Sequence, residues 1–202
     1  MALPAPEDPA PVDATIRPDE PAPKPRSKRR RAIIEWGIII VVALLAALLL
    51  RTFVIQPYYI PSASMEPTLK VGDKVLVNKL SYDLHSIHRG DVIVFKKPPD
   101  DTTPGIKDLI KRVIGLPGET IAGKDGQIYI NGKLLNEHWL PRVDQNTTST
   151  FAPVHIPAGE YFVMGDNRAD SSDSRVFGPI AKSLVVGRAF IKVWPPSRIG
   201  TL

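Results

Sequence analysis

The chain has 202 residues, a formal net charge of +5 and no cysteine. The lack of cysteine excludes disulfide bonds, cysteine-ligated zinc or iron–sulfur sites and thiol catalysis. The four histidines lack the short spacing that metal sites use, so the sequence predicts neither a metal nor another cofactor. A chain of this length can hold one ordinary domain with appended segments.

The N-terminal segment is rich in proline and ends in a basic cluster. Eight of the 21 prolines lie within residues 1–25, where acidic residues are interspersed and aromatic residues are absent. Such a segment buries too little apolar surface to offset its ordering entropy, so we expect it to be disordered. The basic cluster that follows consists of Lys24, Arg26, Lys28, Arg29, Arg30 and Arg31.

Residues 32–50 (AIIEWGIIIVVALLAALLL) form an apolar run whose only charge is Glu35. As a helix this run would span roughly 28 Å, close to the thickness of a bilayer's hydrocarbon core. The basic cluster before it and the single Arg51 after it predict a cytoplasmic N-terminus. The predicted organisation is a cytoplasmic tail over residues 1–31, a single transmembrane anchor in the cell membrane over 32–51 and an extracytoplasmic domain over 52–202.

Three other interpretations compete with this one. The run could be a fully buried core helix, or a cleavable signal peptide with the small-residue triplet at 62–64 as its cleavage site, although the run is long and the triplet is distant for that. The basic cluster could bind nucleic acid. Residues 1–31 hold seven basic and five acidic residues and Glu35 cancels Arg51, which leaves only +3 for residues 52–202. The charge therefore favours a lipid bilayer over nucleic acid as partner.

Residues 52–202 have the pattern of a mainly antiparallel β domain. Short runs rich in β-branched and aromatic residues alternate with turn residues, and Asn131-Gly132 predicts a type I′ hairpin. The predicted strands are residues 75–77, 91–95, 110–114, 127–130, 161–164 and 190–194. Residues 97–104 and 143–153 are expected to be mobile loops.

The first segment with chemical potential is IPSASMEPTL, residues 60–69. It holds Ser62 and Ser64 between prolines, which restrict the backbone and make the loop stiff for its length. A stiff loop can hold a hydroxyl at a fixed angle. An ordinary connecting turn has a similar composition, so this segment alone decides nothing.

The second segment is DLIKRVIGLPGE, residues 108–119. Alternate residues of a strand share a face, so Lys111 and Arg112 each lie between two apolar neighbours on opposite faces. Burial disfavours a charged amine, so a buried lysine can lose its proton near neutral pH, whereas arginine cannot. If either cation is a base, it is Lys111. The alternative is a lysine at the surface beside Arg112.

The third segment is the polar loop GDNRADSSDSR, residues 165–175, directly after an apolar strand. Asp173 and Arg175 are spaced to form an ion pair within a loop, and Ser171 could exchange a hydrogen bond with a nearby amine. A solvated turn is the alternative.

Together, and in this order along residues 33–196, these segments resemble the bacterial type I signal peptidases. The resemblance includes the membrane span, PSASMEPTL, GDKVLVNK, GDVIVF, KRVIGLPGE and GDNRADSSDSR. It implies a membrane-anchored serine endopeptidase with a β-rich catalytic domain and a Ser–Lys pair in place of a histidine. By resemblance, Ser64 is the nucleophile and Lys111 the general base. Ser62 matches the oxyanion-hole hydroxyl, which acts with the backbone N–H of Ser64.

The resemblance also implies supporting roles in the polar loop. Ser171 matches the hydroxyl that orients the lysine, and Asp173 with Arg175 matches a supporting ion pair. The sequence departs from many relatives at Ala169-Asp170, where Asp-Asn is common. None of the matched site positions is touched by this difference.

The implied substrates are secretory preproteins with small-x-small cleavage sites, bound in extended form at a strand edge. We expect a monomer. The stretch of Phe53, Val54, Ile55, Tyr58, Tyr59 and Ile60 is expected to touch the bilayer. Two rival functions remain: a self-cleaving Ser–Lys repressor, which should carry a DNA-binding domain and no membrane span, and a non-enzymatic anchored β module.

Overall fold

A computed structural model describes the chain over residues 26–101, 105–141 and 147–202. The chain divides after Leu44 into two compact units. The predicted disordered tail at residues 1–25 lies outside the described residues, as do parts of both predicted loops.

The first element is the helix α1, Arg26–Phe53, which extends beyond the predicted anchor at both ends. Within it, Arg30–Leu48 is long and apolar enough to cross a membrane. None of this 19-residue stretch is buried. The interpretation as the core helix of a soluble domain is therefore wrong.

The rest of the chain forms two antiparallel sheets with short helical turns between strands. The larger sheet contains β1 (Ile55–Tyr59), β2 (Lys74–Asn78), β3 (Val92–Lys96), β4 (Asp108–Gly115), β9 (Glu160–Met164), β10 (Ile180–Ala181), β11 (Val185–Trp194) and β12 (Gly200–Thr201). Its order is β1-β2-β11-β3-β4-β9-β10, with β12 on β11. The smaller sheet contains β5 (Thr120–Lys124), β6 (Gln127–Ile130), β7 (Lys133–Leu134) and β8 (Phe151–His155), in the order β7-β6-β5-β8.

Short helical turns link these strands. They are Ala63–Met65, Ser81–Leu84 (α2), Ser174–Phe177 (α3), Lys182–Leu184 and Pro196–Arg198. The mainly β fold with one N-terminal apolar helix confirms the predicted fold class.

The central strand β4 contributes to all three hydrophobic clusters. Leu109 and Val113 belong to one cluster, Ile110 packs against the second, and Ile114 belongs to the third. β4 pairs with β3 on one side and with β9 on the other. Any polar side chain in the middle of this strand is therefore held in apolar surroundings.

Each of the six predicted strand segments overlaps a strand, and the predicted hairpin is confirmed. Asn131 and Gly132 have φ values of 50° and 76°, as a type I′ turn requires, and they join β6 to β7. The loop prediction is wrong for residues 151–153, which belong to β8. Phe151 stacks on Phe162 at 5.7 Å between ring centroids, and this contact holds β8 against the core.

The strand β1 was missed because its sequence IQPYY contains a proline. Pro57 is tolerated there because β1 is an edge strand of the larger sheet. The chain then turns inward at Ile60, which is buried in the second cluster. The prediction that Ile60 touches the bilayer is therefore wrong, whereas Tyr59 is exposed.

Candidate active site

The fold brings Ser64 and Lys111 into direct contact. Lys111 lies in the middle of β4, and Ser64 lies in the helical turn Ala63–Met65 that follows β1. The Lys111 Nζ atom donates a hydrogen bond to Ser64 Oγ at 2.6 Å. The two residues that the sequence singled out as hydroxyl and amine thus meet at hydrogen-bond distance.

Buried apolar side chains hold the turn that carries Ser64. Ile60 precedes it, and Met65 and Leu69 follow it; all three pack in the second hydrophobic cluster. The Leu69 N–H donates to the Met65 carbonyl at 2.8 Å, which tightens the chain just beyond Ser64. The serine is therefore fixed by apolar anchors on both sides.

Lys111 is buried, with only 3% of its surface exposed. Loss of hydration lowers the pKa of its amine from 10.5 to about 8, although the negative charges of Asp173, Asp101 and Asp166 act in the opposite direction. About a tenth of the amine is therefore uncharged at pH 7, compared with less than about a thousandth for an unshifted lysine. The alternative of a surface lysine is wrong.

Ser62 lies on the open side of Ser64. The two hydroxyl oxygens are 3.4 Å apart, and this contact is exposed. A group bound over Ser64 from the solvent side would reach both hydroxyls.

Asp173 and Arg175 form the ion pair that their spacing predicted. The Arg175 Nε and Nη2 atoms donate to the two carboxylate oxygens of Asp173, each at 2.8 Å. Asp173 is fully buried, and it also accepts from the Gly165 N–H at 3.0 Å and caps the helix α3. The pair therefore ties the end of β9 to the start of α3.

Ser171 lies close to the backbone of the turn Ala63–Met65, which carries Ser64. A Cβ atom added to Gly165 would collide with the Ser171 hydroxyl and with the Ser64 carbonyl oxygen, so only glycine fits at position 165. The Ser171 Oγ is buried and makes no hydrogen bond to any described residue, Lys111 included. The structure places Ser171 near the pair but not in contact with the amine.

Sequence reasoning missed the buried partner of Arg112. The Nε and Nη2 atoms of Arg112 donate to the two oxygens of Asp166 at 2.8 and 2.6 Å, and Arg112 Nη1 donates to the Gly90 carbonyl. The Thr68 hydroxyl also donates to Asp166, at 2.6 Å. This cluster joins β4, the polar loop and the segment after Ser64. The alternation on β4 placed Arg112 between two apolar neighbours, but nothing in the sequence indicated which carboxylate would pair with it.

Asn167 is a second residue that the sequence analysis left without a role. Its backbone N–H donates to the Ser64 carbonyl at 3.1 Å, and its Nδ2 donates to the Ala63 carbonyl at 3.3 Å. The polar loop is therefore hydrogen-bonded directly to the backbone of the turn Ala63–Met65.

No cluster of three or more metal-ligating side chains occurs in the part of the chain that the structure describes.

Comparison with known proteins identifies the family. Residues 33–194 match the family described as signal peptidase, peptidase S26. A probable signal peptidase I-2 of Synechocystis sp. is 38% identical over 91% of this chain and 83% of its own length. Signal peptidase I T of Bacillus subtilis is 39% identical over 85% of this chain and 91% of its own length.

Among solved structures, a signal peptidase I from Enterococcus faecalis V583 matches 52% of this chain and 97% of its own chain, at 35% identity and a TM-score of 0.44. The family match and the sequence relatives carry the assignment: the chain belongs to the signal peptidase S26 family. It is a hydrolase of peptide bonds with signal peptidase I function. The apolar helix α1 is consistent with a membrane-anchored protein.

The burial of Lys111 makes a prediction about stability. Because the pKa of Lys111 is lower in the folded chain, the unfolded chain binds a proton between about pH 8 and 10.5 that the folded chain does not. This difference corresponds to about 3 kcal/mol, and loss of the bond to Ser64 offsets about 1 kcal/mol. Lys111→Met should therefore raise the free energy of unfolding by about 2 kcal/mol at pH 7.

Urea unfolding of the variant and the wild type measures this gain. The gain should shrink as the pH rises from about 8 toward 10.5, because the wild type then no longer bears the cost of a buried charge. Lys124→Met, at an exposed strand position, is the control and should change little at either pH. A Lys111→Met variant that is less stable than the wild type at pH 7 would contradict the argument.

Proposed function

We propose that the chain removes N-terminal signal peptides from secreted preproteins, with Ser64 as nucleophile and Lys111 as general base. The observation that carries this proposal is the 2.6 Å contact between Lys111 Nζ and Ser64 Oγ, made by an amine that is almost fully buried. Family membership supports the same reaction and the same class of substrate.

The first step is attack on the scissile carbonyl carbon. The neutral Lys111 amine accepts the proton of the Ser64 hydroxyl as its oxygen forms the bond to carbon. A base works best when its pKa lies near the operating pH, and a pKa of about 8 meets that requirement. The products of this step are a tetrahedral oxyanion and a Lys111 ammonium.

The second requirement is a donor for the oxyanion. The Ser62 hydroxyl lies 3.4 Å from the attacking oxygen and is open to the solvent side, where substrate would bind. We assign it to the oxyanion hole together with the backbone N–H of Ser64. Such donors stabilise charge that is absent from the bound substrate, so they act on the rate rather than on binding.

The remaining steps return the proton. The Lys111 ammonium donates to the leaving amine as the peptide C–N bond breaks, which leaves the signal peptide esterified to Ser64. A water then attacks the ester carbon while the neutral Lys111 amine accepts its proton. The Lys111 ammonium returns this proton to Ser64 Oγ as the ester C–O bond breaks and the signal peptide leaves. The same amine thus serves twice as base and twice as acid.

The polar loop supplies the supporting charges. Asp173 favours the ammonium that forms during attack, while Arg175, bound to both oxygens of Asp173, limits this effect in the resting enzyme. The resemblance to the family assigns to Ser171 the orientation of the lysine; its buried hydroxyl lies beside Gly165 and the Ser64 backbone and makes no hydrogen bond to the amine.

Substrate is proposed to bind as an extended strand along β1. β1 is an edge strand of the larger sheet, so one row of its backbone groups is unpaired within that sheet. The sheet curls so that the Tyr58 hydroxyl of β1 donates to Asp108 of β4 at 3.4 Å. Ser64 lies in the turn that follows β1, and Lys111 lies in the middle of β4. We propose a preference for small side chains, alanine above all, on either side of one residue at the cleavage site.

We further propose that α1 anchors the protein in the cell membrane with its N-terminus in the cytoplasm. The stretch Arg30–Leu48 is long enough to span the bilayer, and basic residues precede it more densely than they follow it. Residues 52–202 then lie outside the cytoplasm, where translocated preproteins emerge.

Ser64→Ala tests the nucleophile. Cleavage of a preprotein in detergent should fall by about 10⁶-fold, because the variant lacks the hydroxyl that Lys111 Nζ contacts. Ser62→Ala should lower kcat by about 100- to 1000-fold with little change in KM. Ser172→Ala, an exposed serine of the polar loop, is the matched control and should behave as the wild type. Cleavage retained by Ser64→Ala would remove Ser64 from the role.

The pH dependence of kcat/KM tests the base. The rate should rise with pH and reach half its plateau near pH 8, since only the neutral amine can accept the proton. Lys111→Arg keeps the charge but cannot deprotonate, so activity should drop about 1000-fold or more at every pH. Lys107→Arg, at an exposed position, controls for the substitution itself. A pH-independent rate, or an active Lys111→Arg enzyme, would be incompatible with the assignment.

Protease protection tests the topology. In sealed inverted vesicles of the inner membrane, an added protease should leave residues 52–202 intact until detergent opens the vesicles. Digestion of this domain before detergent is added would reverse the proposed orientation.

A further inference from the structure

Another buried ion pair joins Arg168 of the polar loop to Glu137. Arg168 Nη1 donates to one Glu137 oxygen at 2.6 Å and Nη2 donates to the other. The Arg168 side chain is fully buried, and 3% of the Glu137 side chain is exposed. Arg168 Nη1 also contacts the Thr148 hydroxyl at 3.3 Å. Neither residue belongs to the proposed proton-transfer machinery.

Arg168 holds the backbone of the polar loop close to the turn Ala63–Met65, which carries Ser64. Its Nε donates to the Gly165 carbonyl at 3.0 Å, while the Gly165 N–H is held by Asp173 at 3.0 Å. Gly165 is therefore clamped on both of its backbone groups. It is also the residue at which a Cβ atom would collide with the Ser64 carbonyl and the Ser171 hydroxyl.

A backbone hydrogen bond links the polar loop to Ser64. Asn167, the neighbour of Arg168, donates its backbone N–H to the Ser64 carbonyl at 3.1 Å. A shift of residues 165–168 would therefore move the backbone that carries the Ser64 hydroxyl. The Lys111 amine lies on the central strand β4, whose Arg112 binds Asp166 within residues 165–168.

We propose that Glu137 is a positioning residue for catalysis, which acts through Arg168 to hold residues 165–168, and thereby Ser64, in register with Lys111. The inference rests on the proposed Ser64–Lys111 pair. Glu137 follows β7 of the smaller sheet, so this ion pair couples the smaller sheet to the nucleophile.

The physical reason to expect more than a stabilising role is the cost of burying charge. Two buried ions lose hydration, and apolar residues of similar size often replace such a pair without loss of stability. What apolar residues cannot replace is the directed bond from Arg168 to the Gly165 carbonyl. Stability and positioning can therefore be separated by substitution.

The double variant Glu137→Leu with Arg168→Met separates them. Its melting temperature should stay near that of the wild type, whereas kcat for preprotein cleavage should fall about 10- to 100-fold, the effect of a displacement of about 1 Å at the reacting atoms. KM should stay within about twofold, because the proposed β1 edge is untouched. A folded double variant with wild-type kcat would overturn the proposal.

The ion pair of Arg89 with Glu119 serves as a matched control. Its Nη2 and Oε1 atoms are 2.6 Å apart, and it lies outside the polar loop. Arg89→Met with Glu119→Leu removes the same chemistry and should leave kcat unchanged. An equal loss of kcat in this control would show a general effect of ion-pair removal and overturn the specific role of Glu137.

Single variants serve if the double variant does not fold. Per folded molecule, judged by circular dichroism, kcat should fall further in Glu137→Ala than in Glu137→Gln, which keeps one acceptor for Arg168. Wild-type kcat in folded Glu137→Ala would refute the role. Ser64→Ala in the same assay distinguishes the two levels: if it cleaves, the proposed pair fails, and if it does not while Glu137→Ala is fully active, only the positioning role fails.

Discussion

The burial of one amine is the constraint on which the site depends. Lys111 lies in the middle of a strand whose neighbours fill three hydrophobic clusters, so its side chain cannot reach bulk water. Removal from water lowers its pKa to about 8 and leaves a Ser64 hydroxyl as its hydrogen-bond partner. The β fold therefore creates the site: the central strand β4 buries the amine among apolar side chains, and the edge strand β1 leads into the turn that carries the hydroxyl.

The carboxylates around the amine would undo this effect if they acted alone. Asp173 and Asp166 both raise the pKa of Lys111, yet each is bound through two oxygens to an arginine, Asp173 to Arg175 and Asp166 to Arg112. Arg175 lowers the pKa of Lys111 and so offsets part of the effect of Asp173, and desolvation remains the largest effect. The same two pairs tie the polar loop to α3 and to β4, which joins the electrostatics of the site to its geometry. The pair of Glu137 and Arg168 extends this arrangement to the smaller sheet.

Local pattern predicted part of this arrangement. Alternation along residues 108–115 indicated that Lys111 and Arg112 lie among apolar neighbours, and the structure buries both. The hairpin at Asn131 followed from turn chemistry. β1 and β8 were missed because each contains a proline, Pro57 or Pro153, which argues against a strand. The structure shows that β1 is an edge strand and that Phe151 holds β8 by packing. The prediction that Ser64 pairs with Lys111 rested on the resemblance to a family and not on the spacing of the two residues. The partners of Arg112 and Arg168 are 54 and 31 positions away, and no periodicity links such pairs before the chain folds.

The ionisation of the Lys111 side chain can be observed directly. Titration of lysine labelled at Cε, followed by carbon NMR on the full chain in detergent micelles, reports the pKa of each amine, and comparison with the Lys111→Arg spectrum identifies the signal of residue 111. Our account predicts a midpoint near pH 8 for that signal. A midpoint at about 10.4, the value of a solvated lysine, would contradict it, because the amine would then be protonated whenever Ser64 has to give up its proton.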